Sequence, residues 1–438
     1  VHRCYFIRSI TLDDRAELPG WVASLARDED AEKDTRDKVA GILAEVRRDG
    51  LAAALRHTEA FDGLSLTESA LRVPRAAMHE ALARLQFADP GLVASLGTLA
   101  ANVRRFAEGQ RRALCDLELP LAHGGTVGER WLPLERVGVY VPGGRAFYPS
   151  TLAMTVIPAQ VAGVKRIVAV TPPKAEGLDL RVLACAALLG VEELVTLGGA
   201  QAVAWLAFGE PAVDLIAGPG NRFVAEAKRQ LVGRCGIDSL AGPTELLILA
   251  DDSADPAWLA EDLLAQAEHD PDAAAVLVSG DAGLLAQVEV ELQARVAASP
   301  RRAILEASLA RHGRLVRAGR EIALALAQAW APEHLELIVR DPDAWTPHLT
   351  AAGALFIGAS SAEAFGDYGA GPNHVLPTSR TARYSSPLGV ATFLKRQSLL
   401  RLSVADAAAM APWVARLAEA EGLPHHGASA LLRSRREP

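Results

Sequence analysis

The chain has 438 residues, half of them hydrophobic, and a net charge of −8 from 45 Lys and Arg against 53 Asp and Glu. That length exceeds one ordinary core and predicts two domains with extensions. The acidic balance, with no basic block, excludes an electrostatic nucleic-acid surface, and the lack of any apolar run of about 18 residues argues against a membrane-spanning helix.

In chain order, residues 1–14 are charged and lack an apolar signal core. Residues 20–114 read as helices: Ala, Leu, Glu and Arg runs broken at Asp62-Gly63 and Val73-Pro74. A short apolar run over 137–141 stops at Pro142-Gly143-Gly144. Alternation follows, with helices over 151–162, 180–189, 200–208 and 221–232 and strands over 166–171, 193–197 and 213–217. A second series places strands at 245–250, 274–279, 335–339 and 354–357, with helices at 256–269, 282–298 and 320–329. Strands alternating with helices of this length predict βαβ units. The fold class is therefore α/β: two Rossmann-like parallel-sheet domains without a GxGxxG turn, plus helical N- and C-terminal extensions. An Ala-rich amphipathic helix over 403–422 has little chain left to pack on, so it docks elsewhere or on a partner subunit. The expected division is an N-terminal extension 1–30, a discontinuous main α/β domain 31–138 and 246–388, an inserted domain 139–245 and a C-terminal extension 389–438.

Four cysteines, Cys4, Cys115, Cys185 and Cys235, are widely spread without a CxxC. They suit neither a disulfide framework nor a thiolate metal site, and they predict a reducing, cytoplasmic setting. The chemistry-bearing residues lie elsewhere. Gln266 and His269 stand three apart at a helix end, close enough to share a metal, although a histidine there is equally a helix cap. Glu333-His334 follows Trp330-Ala331-Pro332 and opens a strand; it reads as a turn or as a carboxylate beside a proton acceptor. The loop from Gly366 to His374 is polar, Gly-rich and too long for a simple turn. Asp367 offers a hard oxygen ligand there, while His374 is either a partner of that ligand or a pin for the loop. Glu421-Gly422-Leu423-Pro424-His425-His426 ends the last long helix. One of its histidines could complete a shell with Gln266, His269 and Asp367, a nitrogen and oxygen set that suits zinc or manganese. Gly198-Gly199-Ala200-Gln201 and Gly218-Pro219-Gly220-Asn221 each sit between a strand and a helix. Each is a tight turn or a pyrophosphate seat.

Taken in order, RVGVYVPGG (136–144), GGAQAVA (198–204), GPGNRFVAEAKRQ (218–230), AGPTELLILAD (241–251), QAEHD (266–270), APEHLE (331–336), GDYGAGPNHVLPT (366–378) and EGLPHHGASALLR (421–433) resemble the histidinol dehydrogenase family over nearly the whole chain. The resemblance implies NAD-dependent oxidation of L-histidinol through L-histidinal to L-histidine, the last steps of histidine biosynthesis. It makes Gln266, His269, Asp367 and His426 the ligands of one zinc per subunit. It gives His334 the role of general base and Glu333 that of water activator. Thr244, Glu421 and His334, with the ligand residues, then contact substrate, and Tyr140, Gln201 and Asn221 contact NAD. Thr244 stands where serine is also usual, and either hydroxyl can hydrogen-bond. The resemblance further implies an intertwined homodimer in which the C-terminal histidine serves the partner's site. Three other readings compete: a paralogue acting on a different alcohol, a zinc hydrolase, and a non-enzymatic NAD-binding regulator. The intact base and water activator oppose the last.

Overall fold

The computed structural model describes residues 7–25, 29–143 and 149–434; Cys4, Gly144, Arg435 and Arg436 lie outside them. Fourteen strands run through the described residues: β1 (Arg8–Thr11), β2 (Leu117–Pro120), β3 (Thr126–Pro133), β4 (Arg136–Tyr140), β5 (Arg166–Thr171), β6 (Glu193–Thr196), β7 (Leu215–Ala217), β8 (Gly236–Ile237), β9 (Glu245–Ala250), β10 (Ala274–Ser279), β11 (Arg314–Arg317), β12 (His334–Ile338), β13 (Ala354–Ile357) and β14 (Leu394–Arg401). They form a five-stranded parallel sheet in the order β6-β5-β4-β7-β8 and a six-stranded parallel sheet in the order β1-β11-β10-β9-β12-β13. Every residue of β9 and β10 is buried. Parallel strands covered by helices on both faces read as continuous apolar runs for this reason. The α/β class with two parallel sheets is as expected.

The breaks foreseen in the N-terminal helices have clear local causes. Gly63, at φ +68, ends helix Leu51–Asp62 in a left-handed turn and donates its N–H to the Glu59 carbonyl. Pro74 sits immediately before helix Arg75–Ala88. Asp89 caps helix Pro90–Ala113 by accepting from the Leu92 N–H at 2.9 Å.

The packing groups the segments differently from the expected division. Residues of 31–138 share a core with Val375 and Leu388 of the expected second segment 246–388, but not with its six-stranded sheet; Val39, Ile42, Val46, Met78, Leu85, Leu96 and Val103 pack with the strands of the five-stranded sheet. Helix Glu29–Asp49 lies against helices Gly199–Phe208 and Arg222–Gln230, and helix Arg75–Ala88 against Leu180–Leu188. Conversely, β1 leaves the N-terminal extension to become the edge of the six-stranded sheet, beside β11. A third, antiparallel sheet, β14-β3-β2, was not foreseen. Beyond it the chain ends in two helices, Val404–Ala420 and Pro424–Arg433, which pack chiefly on each other. Asp406 ties this pair to the sheet by accepting the His123 and Gly125 N–H groups at 2.9 and 2.7 Å.

The strand orders decide where a cleft can form. In the five-stranded sheet the order reverses between β4 and β7, a topological switch point whose carboxyl ends open a crevice. From the carboxyl end of β8 only the stretch 238–244 separates the chain from the amino end of β9. The loop after Tyr368 closes the gap from the far side: Asn373 donates to the Met154 carbonyl at 2.6 Å, inside helix Pro149–Ala162, which follows β4. The carboxyl edge of one sheet and the amino edge of the other therefore line one cleft.

Candidate active site

At the carboxyl edge of the five-stranded sheet, Tyr140 ends β4 and is buried. Its hydroxyl accepts the Gly199 N–H at 3.1 Å, and burial pushes its phenol up to about 12, so it remains a neutral phenol. The Gln201 side chain folds back over Gly199: a Cβ on that glycine would lie 2.4 Å from Gln201 Oε1. On the other side, Gly218 has φ +114 and passes so close that a Cβ would meet the Tyr140 carbonyl oxygen at 2.2 Å. Only glycine fits such a position. Asn221 caps helix Arg222–Gln230, accepting from the Phe223 and Val224 N–H groups at 3.0 and 3.2 Å. Tyr140 thus joins both glycine turns at the switch point.

The ionisable residues gather at the amino edge of the six-stranded sheet. Thr244 immediately precedes β9 and Glu333 precedes β12; His334 opens β12. The Thr244 hydroxyl lies 3.0 Å from Nε2 and 3.3 Å from Oε1 of Gln266, which is fully buried in the last turn of helix Pro256–Ala267. Oε2 of Glu333 accepts the Glu245 N–H at 3.0 Å. Burial pushes the Glu333 carboxyl up to about 8 against a lowering hydrogen bond from Thr244.

His334 is neutral by construction. Nδ1 lies 3.2 Å from the Glu245 carbonyl oxygen, which can only accept, so the proton sits on Nδ1. Nε2 is buried and, among the described residues, has no hydrogen-bond partner, leaving a free lone pair. Burial holds this imidazole down at about 3, the Glu245 carbonyl opposing. Carboxyl oxygens of Glu333 and Glu363 each stand 3.7 Å from Nδ1, where negative charge would steady an imidazolium.

His269, Glu363 and Asp367 form the cluster that fits a metal: one donor atom from each lies within 4.8 Å of the others. Glu363 and Asp367 are four apart on the short helix Glu363–Tyr368 and so share a face. Burial raises Asp367 to about 7 and lifts Glu363 well above the carboxylate range, with Asp367, Glu336 and Glu333 adding repulsion. His269 meets solvent, yet the desolvating walls hold it below its ordinary value, Glu268 opposing and Arg301 adding to the lowering. Oε2 of Glu363 is buried with no hydrogen-bond partner among the described residues. An imidazole, hard carboxylate oxygens and the adjacent Gln266 carboxamide make a suitable zinc donor set.

His374 acts as a pin. Its Nδ1 donates to the Asp367 carbonyl at 3.1 Å, and its Nε2 accepts from the Thr151 hydroxyl at 3.4 Å. The backbone of Asp367 is thereby fixed to the helix that follows β4. Behind these residues, Glu336 in mid-strand is fully buried and accepts the Glu363 N–H at 2.7 Å.

The structure thus brings together Thr244, Gln266, His269, Glu333, His334 and Asp367. It leaves Glu421, His425 and His426 exposed on the terminal helix pair, and among the described residues no hydrogen bond or ion pair links them to this cleft. Glu363 and Glu336 escaped the sequence reading. A glutamate inside the apolar run Leu335-Glu336-Leu337-Ile338 was a usable signal for the second; Glu363 had none. Cysteine chemistry is remote: burial pushes the Cys185 and Cys235 thiols up to about 12 and about 11.

Comparison with known proteins agrees with this geometry. The histidinol dehydrogenase family model matches residues 25–434. Histidinol dehydrogenase of Chromobacterium violaceum is 47% identical over 90% of this chain and 91% of its own length. That of Dechloromonas aromatica is 44% identical over 98% of each. The crystal structure of histidinol dehydrogenase from Elizabethkingia anophelis superposes with a TM-score of 0.91 at 30% identity, covering 99% of both chains. With its two-sheet cleft, buried Glu333-His334 pair and metal-fitting cluster, this chain belongs to the histidinol dehydrogenase family, oxidoreductases that convert histidinol to histidine with NAD.

Proposed function

We propose that the chain oxidises L-histidinol through L-histidinal to L-histidine in one cleft, using NAD twice and one zinc ion per subunit. The observation that carries this reading is His334: a neutral imidazole whose Nε2 has no hydrogen-bond partner among the described residues, set between two carboxyls and beside the His269, Glu363 and Asp367 cluster. In the first oxidation Nε2 takes the proton of the substrate hydroxyl as hydride leaves the same carbon, giving the aldehyde. Glu333 then removes a proton from water adding to that aldehyde, and loss of a second hydride from the hydrate gives the carboxylate. Zinc held by Gln266, His269, Asp367 and the partner subunit's His426 would orient the substrate's nitrogen atoms, and its charge would favour the ionised form of nearby carboxyls. What NAD supplies when bound is a hydride acceptor, seated at the switch-point crevice with Tyr140, Gln201 and Asn221 as contacts.

The homodimer belongs to the same proposal. Val404, Trp413, Leu417, Leu423 and Leu432 of the terminal helices are exposed, as are Leu399 and Leu400 of β14. So broad an apolar surface favours a protein contact, and Glu421 and His426 ride on it toward a partner's cleft. We also place the enzyme in the cytoplasm; no described helix is long and apolar enough to cross a membrane.

The test is stoichiometric. Purified, zinc-loaded protein should yield two NADH per L-histidinol consumed and lose the reaction on chelation. One NADH per alcohol, or turnover only with other alcohols, would favour the paralogue reading and overturn this one. Sharing between subunits has its own check: inactive His426→Asn and His269→Asn chains, mixed under verified subunit exchange, should regain activity in the heterodimer.

A further inference from the structure

Beneath the glycine turn at the switch point lies a charge pair that the chemistry does not use. Lys228, in the last turn of helix Arg222–Gln230, and Asp238, just past β8, pair with side chains 1% and 2% exposed. Removing both charges from water is expensive, and an apolar pair of similar volume would stabilise the fold at least as well. Their remaining hydrogen bonds all go to local backbone. Lys228 Nζ donates to the Gly218 carbonyl at 3.0 Å, and Asp238 Oδ2 accepts the Gly218 N–H at 2.7 Å. Oδ1 of Asp238, which meets the ammonium, also accepts the Ser239 N–H at 2.7 Å.

Both polar groups of the Gly218 peptide backbone are thus gripped from one side, while its α-carbon is pressed against Tyr140 on the other. Gly218 begins the turn that ends at Asn221, the cap of the same helix that carries Lys228. Helix, turn and the strand-following loop are closed into one ring. Because the pair is electrically neutral as a unit, it adds little attraction for an anion; what it fixes is direction.

We infer that Lys228 and Asp238 are positioning residues for the dinucleotide, holding the Gly218–Asn221 turn and its helix N-terminus in the orientation that accepts the pyrophosphate. This rests on the proposed NAD site and deepens it. The pair touches neither substrate nor cofactor. Its loss therefore acts on dinucleotide affinity and leaves the amino edge of the other sheet alone.

The decisive variant is the double Lys228→Met, Asp238→Leu, which removes the pair without stranding a buried charge. Using the zinc-loaded full chain, NADH binding is followed by fluorescence and both KM values by steady-state kinetics. The NADH Kd and the KM for NAD should rise about 10- to 100-fold, since misplacing a binding group by about 1 Å has effects of that order. The KM for histidinol, and kcat at saturating NAD, should stay within about threefold, a split that general loosening of the fold would not produce. A folded double variant with NADH Kd within twofold of the wild type overturns the inference. Should the double variant not fold, the milder double Lys228→Met, Asp238→Asn, which removes both charges and the hold on the Gly218 carbonyl, is read against the same thresholds. Failure of the wild-type protein itself to bind NADH would instead sink the NAD reading on which the inference stands.

Discussion

The two edges that face each other across the cleft are built by opposite means. At the carboxyl edge of the five-stranded sheet the working surface is backbone: glycine turns, a helix N-terminus and one phenol that stays neutral. At the amino edge of the six-stranded sheet it is side chains, ionisable and driven away from their ordinary charge states by burial. The contrast follows from what each edge would hold. A dinucleotide carries its own charge and needs N–H groups in fixed directions. A neutral hydroxyl must be deprotonated, which requires groups whose proton affinity the protein has altered. The amino-edge location is also a departure from the usual rule for open α/β sheets, which the five-stranded sheet obeys.

The sharpest way to separate the edges is to remove the proposed base. His334→Ala should lower kcat by about 10²–10⁴-fold, with zinc content and NADH affinity retained, because His334 belongs to neither binding set. Atomic absorption and NADH fluorescence alongside turnover check this; a variant keeping most of its rate at neutral pH would dissolve the contrast.

The next effect is on stability and is confined to the acidic edge. Burial, with repulsion from Asp262, raises Glu336 to about 8, above its ordinary 4.5. The folded state therefore favours the protonated form; this contribution is fully present below about pH 4.5 and is lost as pH rises through 8. His334 works on the opposite flank. Held down at about 3, it contributes stability above its ordinary 6.5 that is lost as pH falls toward 3. Chelated protein should accordingly melt at lower temperature at pH 9 than at pH 6, and Glu336→Gln should flatten that alkaline loss. An alkaline slope unchanged in Glu336→Gln would place the cause elsewhere.

These buried acids mark where sequence reading stops. β9, β10 and the helices around them were legible because a two-sided buried strand must be apolar throughout and its flanking helices must show a stripe. The β14-β3-β2 sheet was not: Leu394–Arg401 is exposed along nearly all its length, so no alternation records its pairing. β1, Arg-Ser-Ile-Thr, is a half-polar edge strand with equally little signature. Within the site, Gln266, His269, Glu333, His334 and Asp367 stood out as strings, since each sits in a short run of unusual composition. Glu363 did not, because what makes it reactive is burial under His334 and beside Asp367, a tertiary fact. The N-terminal helices were recognised as helices, yet their stripes do not say which sheet they cover, and they cover the five-stranded one.

A smaller effect tests the backbone edge. Tyr140→Phe removes one hydrogen bond to the Gly199 N–H, worth about 1 kcal/mol net, and so should raise the KM for NAD about fivefold without altering the KM for histidinol. If both constants rose together, the phenol would be supporting the whole cleft rather than the dinucleotide turn.

The smallest effect belongs to the thiols, and its smallness is the point. A covalent route through a thiohemiacetal needs a thiolate beside the substrate carbon. Cys185 is instead 1% exposed in the core under the five-stranded sheet, its Sγ 3.7 Å from the Pro149 carbonyl, and burial keeps it a thiol. Cys235 is held in the same state, and Cys115 is exposed, its Sγ 3.5 Å from the Arg112 carbonyl. Replacing Cys115, Cys185 and Cys235 together should therefore leave both oxidations at their original rates, while Cys185→Ala costs about 1 kcal/mol of stability through the small void it leaves. Two NADH per histidinol from the triple variant is the expected outcome. If the folded variant released one NADH and stalled at the aldehyde, the second oxidation would be covalent, and Glu333 would lose its role as the group that activates water.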